Sequence, residues 1–586
     1  MGSLTLSQPH GRRLTGGDLV AQCLKALGVE VAFGLGGGHL DAVLLGCEDN
    51  GIKLYDTRHE TVAVQAAEGY YKTSGKVGVS FVTAASGFSN ALPGLSSASA
   101  DNNAIVLITS SQPQRDIGTN GLQGAHDQVA LAMPITKFAH RVVHASEIPR
   151  VMAHAFRIAV GDGPGPVMLD IPIELMMLPV DQENISWGAI ADPPTYPPGP
   201  HEDAIEALVQ LWKSAERPAI IAEVIGRGEG KSTVILEAVA EATSTPVFHS
   251  LNYGPAVPYK HPLEAGPANQ LALLLGSSSP RPDLIILMGA RPSTFTGARG
   301  GFVLPKAECK IVQIDPDGRE IGKMHRVDLG MQCEPEQALR KLKTIFQANK
   351  LPPRKEWLDI ALKLKTSPLK KFENSAPSTN DALHPFHAIY EIAKSLDPGA
   401  IFICDGGEAS WWGLDVAPTN QAHLSIYACG IMGFLGNGWG YALGAAAAAP
   451  SRQIVHIQGD GSAGFHIAEL DTYARFKLNI LTVIMNNSLW GMSWHAQEMN
   501  WGAKFANRPM SILSTRTSFQ AVAQGFENGS DRITRIHDIS GAVNKFRNQE
   551  GPYLLDVVVS ESPTHPGLES LVKGNMDPSN PPYFCT

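Results

Sequence analysis

Gly459-Asp460-Gly461 is followed, after room for one helix and one strand, by Asn486-Asn487. A carboxylate, a side-chain amide, a backbone carbonyl and diphosphate oxygens together make the hard-oxygen octahedron that Mg2+ prefers. Glycines flanking the acid let a backbone come close to phosphate, and a helix N-terminus after them favours negative charge. The chemistry these residues suit is therefore the holding of a magnesium-bound diphosphate. Gly-Asp-Gly alone is a common tight turn; the paired asparagines placed after the next strand give it its meaning.

The elements between them must bring acid and amide together. Ile454 to Gln458 alternates like a buried strand that stops at a glycine. Ser462-Ala463-Gly464 reads as a turn. From His466 to Leu478 the apolar residues Ile467, Leu470, Ala474 and Leu478 predict one face of a helix. Leu481 to Met485 reads as a second strand. Strand, helix and strand form a βαβ unit with parallel strands, so both carboxyl ends lie on one edge, where open α/β sheets bind ligands.

A second acid stands in a similar place. Ile52 to Asp56 reads as a strand and Thr61 to Thr73 as a helix, with Thr57-Arg58-His59-Glu60 between them. By itself Glu60 reads as a helix-start charge.

The chain has 586 residues and a net charge of -9, enough length for several cores and nothing that suggests a nucleic-acid partner. Seven cysteines are scattered without a Cys-x-x-Cys pair, which fits a reducing compartment rather than a disulfide frame or zinc site. No apolar run reaches bilayer length, and the N-terminus lacks a basic-then-apolar signal; a cytoplasmic protein without membrane partner is the expectation. The fold class expected is α/β, with three doubly wound parallel-sheet domains: residues 1–185, a central 203–347 and 381–562. A Pro-rich linker from Pro193 to Pro198 and a polar, Lys-rich connection from Ala348 to about Asp381 separate them. The tail, 563–586, is either loose or folded over a site.

Asp460 with the asparagine pair, and Glu60 followed by Ala66-Ala67-Glu68-Gly69, resemble the two signatures of thiamine-diphosphate (ThDP) enzymes. The resemblance implies ThDP and Mg2+ as cofactors, with a pyrimidine-binding first domain and a diphosphate-binding third domain. It carries Asp460, Asn487 and the Leu489 carbonyl over as metal ligands. Gly459, Gly461, Ser462 and Trp490 fall beside the diphosphate. Glu60 becomes the acid that hydrogen-bonds the aminopyrimidine, and sites shared between the subunits of a homodimer or homotetramer are expected.

Within the family the chain looks most like the benzaldehyde lyase type, through stretches such as Asp56 to Glu60, Leu122-Gln123, Asp127 to Ala130, Pro134 to Lys137 and His384 to Ala388. That likeness puts His39 and Gln123 at catalytic positions and Gly433 and Leu435 at the aminopyrimidine, Leu435 as the wedge that bends the cofactor. Gly38, Ile173, Met492 and Ala496 fall in the substrate pocket, where the likeness breaks down. The implied activity is a lyase or carboligase that forms or cleaves 2-hydroxy ketones from aldehydes or related carbonyls through ylid and enamine intermediates. The alternatives are a 2-oxo acid decarboxylase or acetolactate-synthase-like enzyme, a 2-hydroxyacyl-CoA lyase, and a scaffolding relative. Intact Glu60, Asp460 and Asn487 argue against the scaffold. Gly226 to Gly230 is a weak candidate for nucleotide contact.

Overall fold

The computed structural model describes residues 13–185, 187, 197–223, 231–275, 277–293, 301, 303–305, 307–365, 372–379, 382–502, 508 and 510–573. Gly226 to Gly230, most of the Pro-rich linker and the tail beyond residue 573 lie outside them. The chain divides into two compact units. One comprises Met1–Tyr196 with Gly430–Ala449 and His466–Phe476; the other holds Pro197–Cys429, Pro450–Phe465 and Lys477–Thr586.

The first unit is built on a six-stranded sheet of order β2-β1-β3-β4-β6-β5. Its strands are β1 (Val31–Gly34), β2 (Lys53–Asp56), β3 (Gly78–Val82), β4 (Ile105–Ser111), β5 (Phe138–Arg141) and β6 (Val167–Pro172). Every pairing is parallel. β3 and β4 are buried along their whole length, which is why they read as continuous apolar runs. The helix Glu60–Ser74 packs closely on the helix Asn437–Ala448. Small residues permit this approach: a Cβ on Gly444 would lie 2.1 Å from the Ala66 carbonyl, and one on Gly69 would lie 2.5 Å from the Tyr441 Cα.

Two sheets make the second unit. The central sheet, again six-stranded and parallel, runs β10-β8-β7-β11-β12-β13. These strands are β7 (Pro218–Ala222), β8 (Val247–His249), β10 (Glu264–Pro267), β11 (Leu284–Met288), β12 (Lys310–Asp315) and β13 (Leu329–Gln332). The third sheet has seven strands in the order β20-β21-β19-β18-β16-β17-β9. They are β9 (Tyr253–Gly254), β16 (Ile401–Cys404), β17 (Leu424–Tyr427), β18 (Ile454–Gly459), β19 (Ile480–Asn486), β20 (Gly529–Ile533) and β21 (Tyr553–Val558), with β9 alone antiparallel. A two-stranded ribbon, β14 (Ser378–Thr379) and β15 (Ala382–Leu383), precedes it. Three mostly parallel sheets with flanking helices are the expected α/β fold class.

Two local expectations give way. The turn foreseen at Ser462-Ala463-Gly464 is helical: the chain leaves β18 directly into a helix, Asp460–His466, whose Ser462 hydroxyl donates to the Gly459 carbonyl at 3.0 Å. The helix foreseen from His466 to Leu478 is therefore two short ones, the second being Glu469–Arg475. The connection expected from Ala348 to about Asp381 also holds a helix, Lys355–Leu364. Its Trp357, Ala361 and Leu364 are buried in the central core, a stripe hidden among lysines in the sequence.

Candidate active site

In the third sheet β17 lies on one side of β16 and β18 on the other, so the strand order reverses at β16. Ligands of doubly wound sheets bind at the carboxyl ends beside such a reversal. Gly406 follows β16 and Asp460 follows β18 there; a Cβ on Gly406 would lie 3.1 Å from both the Gly459 nitrogen and the Ser462 hydroxyl. Pairing of Gly459 with Met485 puts Asp460 level with Asn486, the last residue of β19, with Asn487 just past its end.

Asp460 is 6% exposed. Its Oδ2 accepts the Ser488 N–H at 2.6 Å and its Oδ1 accepts the Gly461 N–H at 2.9 Å. Burial pushes its carboxyl up to about 6, against the pull of these N–H groups. Among the described residues no cationic side chain pairs with it. The two asparagines divide their work. Asn486 Nδ2 donates to the buried Asp556 at 2.8 Å and is structural. Asn487 Oδ1 takes the Leu489 N–H at 3.1 Å, and Ser488, at φ 60°, turns the chain sharply between residues 487 and 489. Trp490 lies against the start of the Asp460–His466 helix: a Cβ on Gly461 would stand 2.5 Å from its ring, so only glycine fits. Asp460, Gly461, Phe465, Asn486 and Trp490 line a cleft of about 500 Å³. A buried carboxylate lacking a cation, an amide and a carbonyl beside it, and a glycine cradle fit a magnesium-bound diphosphate.

In the first unit the expected residues also lie at carboxyl ends of strands. His39 follows β1, Glu60 follows β2, Gln123 lies in the segment after β4, and Ile173 is the first residue past β6. Glu60 is 9% exposed and opens its helix, which His59 caps by accepting the Thr61 N–H. Asn90 Nδ2 donates to Glu60 Oε2 at 3.0 Å. A Cβ on Gly87 would sit 3.4 Å from Oε1. Burial lowers the pKa of His39, which favours the neutral ring, and its Nδ1 meets no hydrogen-bond partner among the described residues. Gln123 is held in the left-handed region at φ 62°. Gly38 is exposed, as is Gly433 at φ 67°, while Leu435 is half-buried. No hydrogen bond among the described residues links Glu60, His39 and Gln123.

Met492 and Ala496 stand on the helix Gly491–Trp501. Met492 crowds Gly407, where a Cβ would lie 2.8 Å from its own. Ala496 is buried with Leu568 and Val572 of a C-terminal helix, Pro566–Lys573, so this part of the tail is folded. Among the buried acids that escaped the sequence reading are Glu408, bonded to His495, and Glu469, on the helix after Asp460. The Gly406-Gly407 pair at the end of β16 repeats the glycine signal seen at Gly459 and would have led to Glu408; nothing local marks Glu469.

The family comparison agrees with this geometry. Residues 14–131 match the N-terminal TPP binding domain of thiamine pyrophosphate enzymes, 205–342 the central domain and 405–557 the C-terminal TPP binding domain. The chain belongs to the thiamine-diphosphate enzyme family. Its cofactor is thiamine diphosphate, which these enzymes typically use with Mg2+. It is similar along its length to proteins named acetolactate synthase. The probable large subunit of Methanocaldococcus jannaschii is 28% identical over 94% of this chain and 93% of its own. Isozyme 1 large subunit of Escherichia coli is 27% identical over 93% and 94%. The large subunit of Lactococcus lactis is 28% identical over 94% and 93%. These names match the alternative drawn from the sequence better than the benzaldehyde lyase type.

Proposed function

We propose that this chain is a ThDP- and Mg2+-dependent carboligase that joins two carbonyl units into a 2-hydroxy ketone, with a 2-oxo acid as donor. One observation supports the donor: relatives similar over more than nine-tenths of this chain are named acetolactate synthases. When bound, the cofactor supplies a nucleophilic carbon and an electron sink. Asp460, Asn487 and the Leu489 carbonyl hold the metal, and the glycine loop admits the diphosphate. Glu60, oriented by Asn90, holds a proton at the aminopyrimidine nitrogen. Leu435 would bear on the cofactor's bend, and Gly433 turns the backbone beside it at φ 67°. Gln123 hydrogen-bonds the substrate oxygen. Ile173 and Met492 bound the acceptor side.

His39 supports a second reading. A neutral imidazole with an unpartnered Nδ1 suits proton movement at a hydroxyl group, the step that cleavage of a 2-hydroxy ketone into aldehydes requires. The test is incubation of the purified protein, ThDP and Mg2+ with short-chain 2-oxo acids or with aldehydes, following CO2 and chiral products. One CO2 per 2-hydroxy ketone is the expected result. Coupling of aldehydes without CO2 would select the second reading, and no coupled product from either donor would sink both.

A further inference from the structure

The loop that delivers Glu60 is gripped from one side by a row of residues spaced by three: His466, Glu469, Thr472 and Arg475. On the helix Glu469–Arg475 that spacing keeps Glu469, Thr472 and Arg475 on one face, and His466 ends the preceding helix. Arg475 makes a bidentate pair with the Asp56 carboxylate at 2.6 and 3.0 Å. Thr472 Oγ1 donates to the Asp56 carbonyl at 3.3 Å. Glu469 Oε1 accepts the Arg58 N–H at 2.9 Å, while its Oε2 takes the Thr472 hydroxyl at 3.0 Å. The His466 ring lies 5.3 Å from that of His59, the residue that caps the Glu60 helix. Three of the four residues before Glu60 are thus held by this row.

Glu469 is 1% exposed, and burial pushes its carboxyl up to about 7. Its carboxylate accepts an N–H and a hydroxyl and forms no close ion pair among the described residues, so its burial carries a cost that apolar packing would avoid. What an acceptor here adds is direction, because it fixes one backbone N–H two residues before the proposed catalytic acid.

We infer that this row is a positioning device for Glu60, and that Glu469 is the positioning residue on which it turns. The inference rests on the proposed role of Glu60. Glu469→Ala removes the acceptor; Glu469→Gln keeps an acceptor oxygen without the charge. In the full-length protein, Glu469→Ala should speed amide hydrogen exchange at residues 57–61 on the order of tenfold, measured without cofactor. With saturating ThDP and Mg2+ it should lower kcat on the order of tenfold or more, since small misplacements near the reacting groups are expensive in rate. Glu469→Gln should restore both to within about twofold, and Arg475→Ala, which breaks an exposed pair, should move both by only about twofold. If Glu469→Ala does not fold, Thr472→Val takes its place with the same readouts. Unchanged kcat with loosened exchange, or a Gln variant as impaired as the Ala variant, would overturn the inference. Glu60→Gln is the control: if it retains turnover, the role of Glu60 itself fails, whereas an inactive Glu60→Gln beside a fully active Glu469→Ala removes only the positioning device.

Discussion

Asp460, the proposed metal ligand, is a buried carboxylate without a cationic partner among the described residues. Burial raises its pKa to about 6, so the metal-free site is partly protonated in mildly acidic solution. A metal needs the ionised form, and the sign follows from that. Affinity for ThDP with Mg2+ should be flat above about pH 6 and weaken roughly tenfold per pH unit below it. Asp460→Asn should bind far more weakly and show no such slope. Calorimetric titration between pH 5 and pH 8 would test this, and a slope surviving in the variant would remove Asp460 from the ligand set. At this scale the sequence showed where the acid and Asn487 stand, at the ends of neighbouring strands. It was silent on the division of labour with Asn486, because only the folded sheet brings Asp556 opposite that amide. Glu469 was illegible for a related reason. A buried acid looks in sequence like any surface charge until its distant partners are placed.

The C-terminal helix Pro566–Lys573 is held by both apolar and charged contacts. Leu568 and Val572 bury against Ala496, and Glu408 accepts the His565 N–H at 2.6 Å. His495 faces oxygen acceptors on both sides, the Glu408 carboxylate at 2.5 Å and the Glu561 carbonyl at 2.7 Å. Both bonds need the imidazolium. Burial alone would lower the pKa of His495, but the hydrogen bond and charge of Glu408, helped by the Glu561 carbonyl, raise it. A histidine raised on folding contributes stability that is complete below its unfolded pKa and lost as pH rises through the folded one. The helix should therefore loosen on the alkaline side. Protection of the amides of residues 566–573, taken relative to the intrinsic base-catalysed exchange rate at each pH, should fall from pH 6 to pH 9, and His495→Gln should show low protection at every pH. Leu568→Ala should destabilise the same helix by about 2–5 kcal/mol. Protection that stays constant from pH 6 to pH 9 in the native chain would refute the role of His495. Strands were well legible at this scale: the runs Ile454 to Gln458 and Leu481 to Met485 are strands to within a residue at either end. Helices in the site were not. Glycines at 461 and 464 argued for a turn, yet the Asp460–His466 helix forms because tertiary contacts outweigh their weak propensity. On the Glu469–Arg475 helix the buried face includes Glu469 and Thr472, which grip the Asp56–Arg58 loop, so an apolar periodicity was the wrong guide.

Across the whole chain the same placement recurs. Glu60 stands past a strand end in the first unit, and Asp460 and Asn487 stand past strand ends in the second. The three-sheet fold class and its cofactor were legible because glycine, acid and amide mark carboxyl ends of strands directly in the sequence. The substrate was not, since Ile173, Met492 and Ala496 are ordinary apolar residues whose role depends on what they face. How Glu60 and Asp460 reach one cofactor is open to a decisive experiment. In the shared-site proposal, Glu60 of one protomer serves the cofactor held by the partner's Asp460. Glu60→Gln and Asp460→Ala proteins are each expected to be inactive. In a mixed dimer both changes fall in one site and the other site is intact. Equal, freely exchanging mixtures should then recover about a quarter of native activity, since half the dimers are mixed and each has one working site. Activity that stays absent after subunit exchange, with mixed dimers verified by two affinity tags, would assign both residues to one chain's own site.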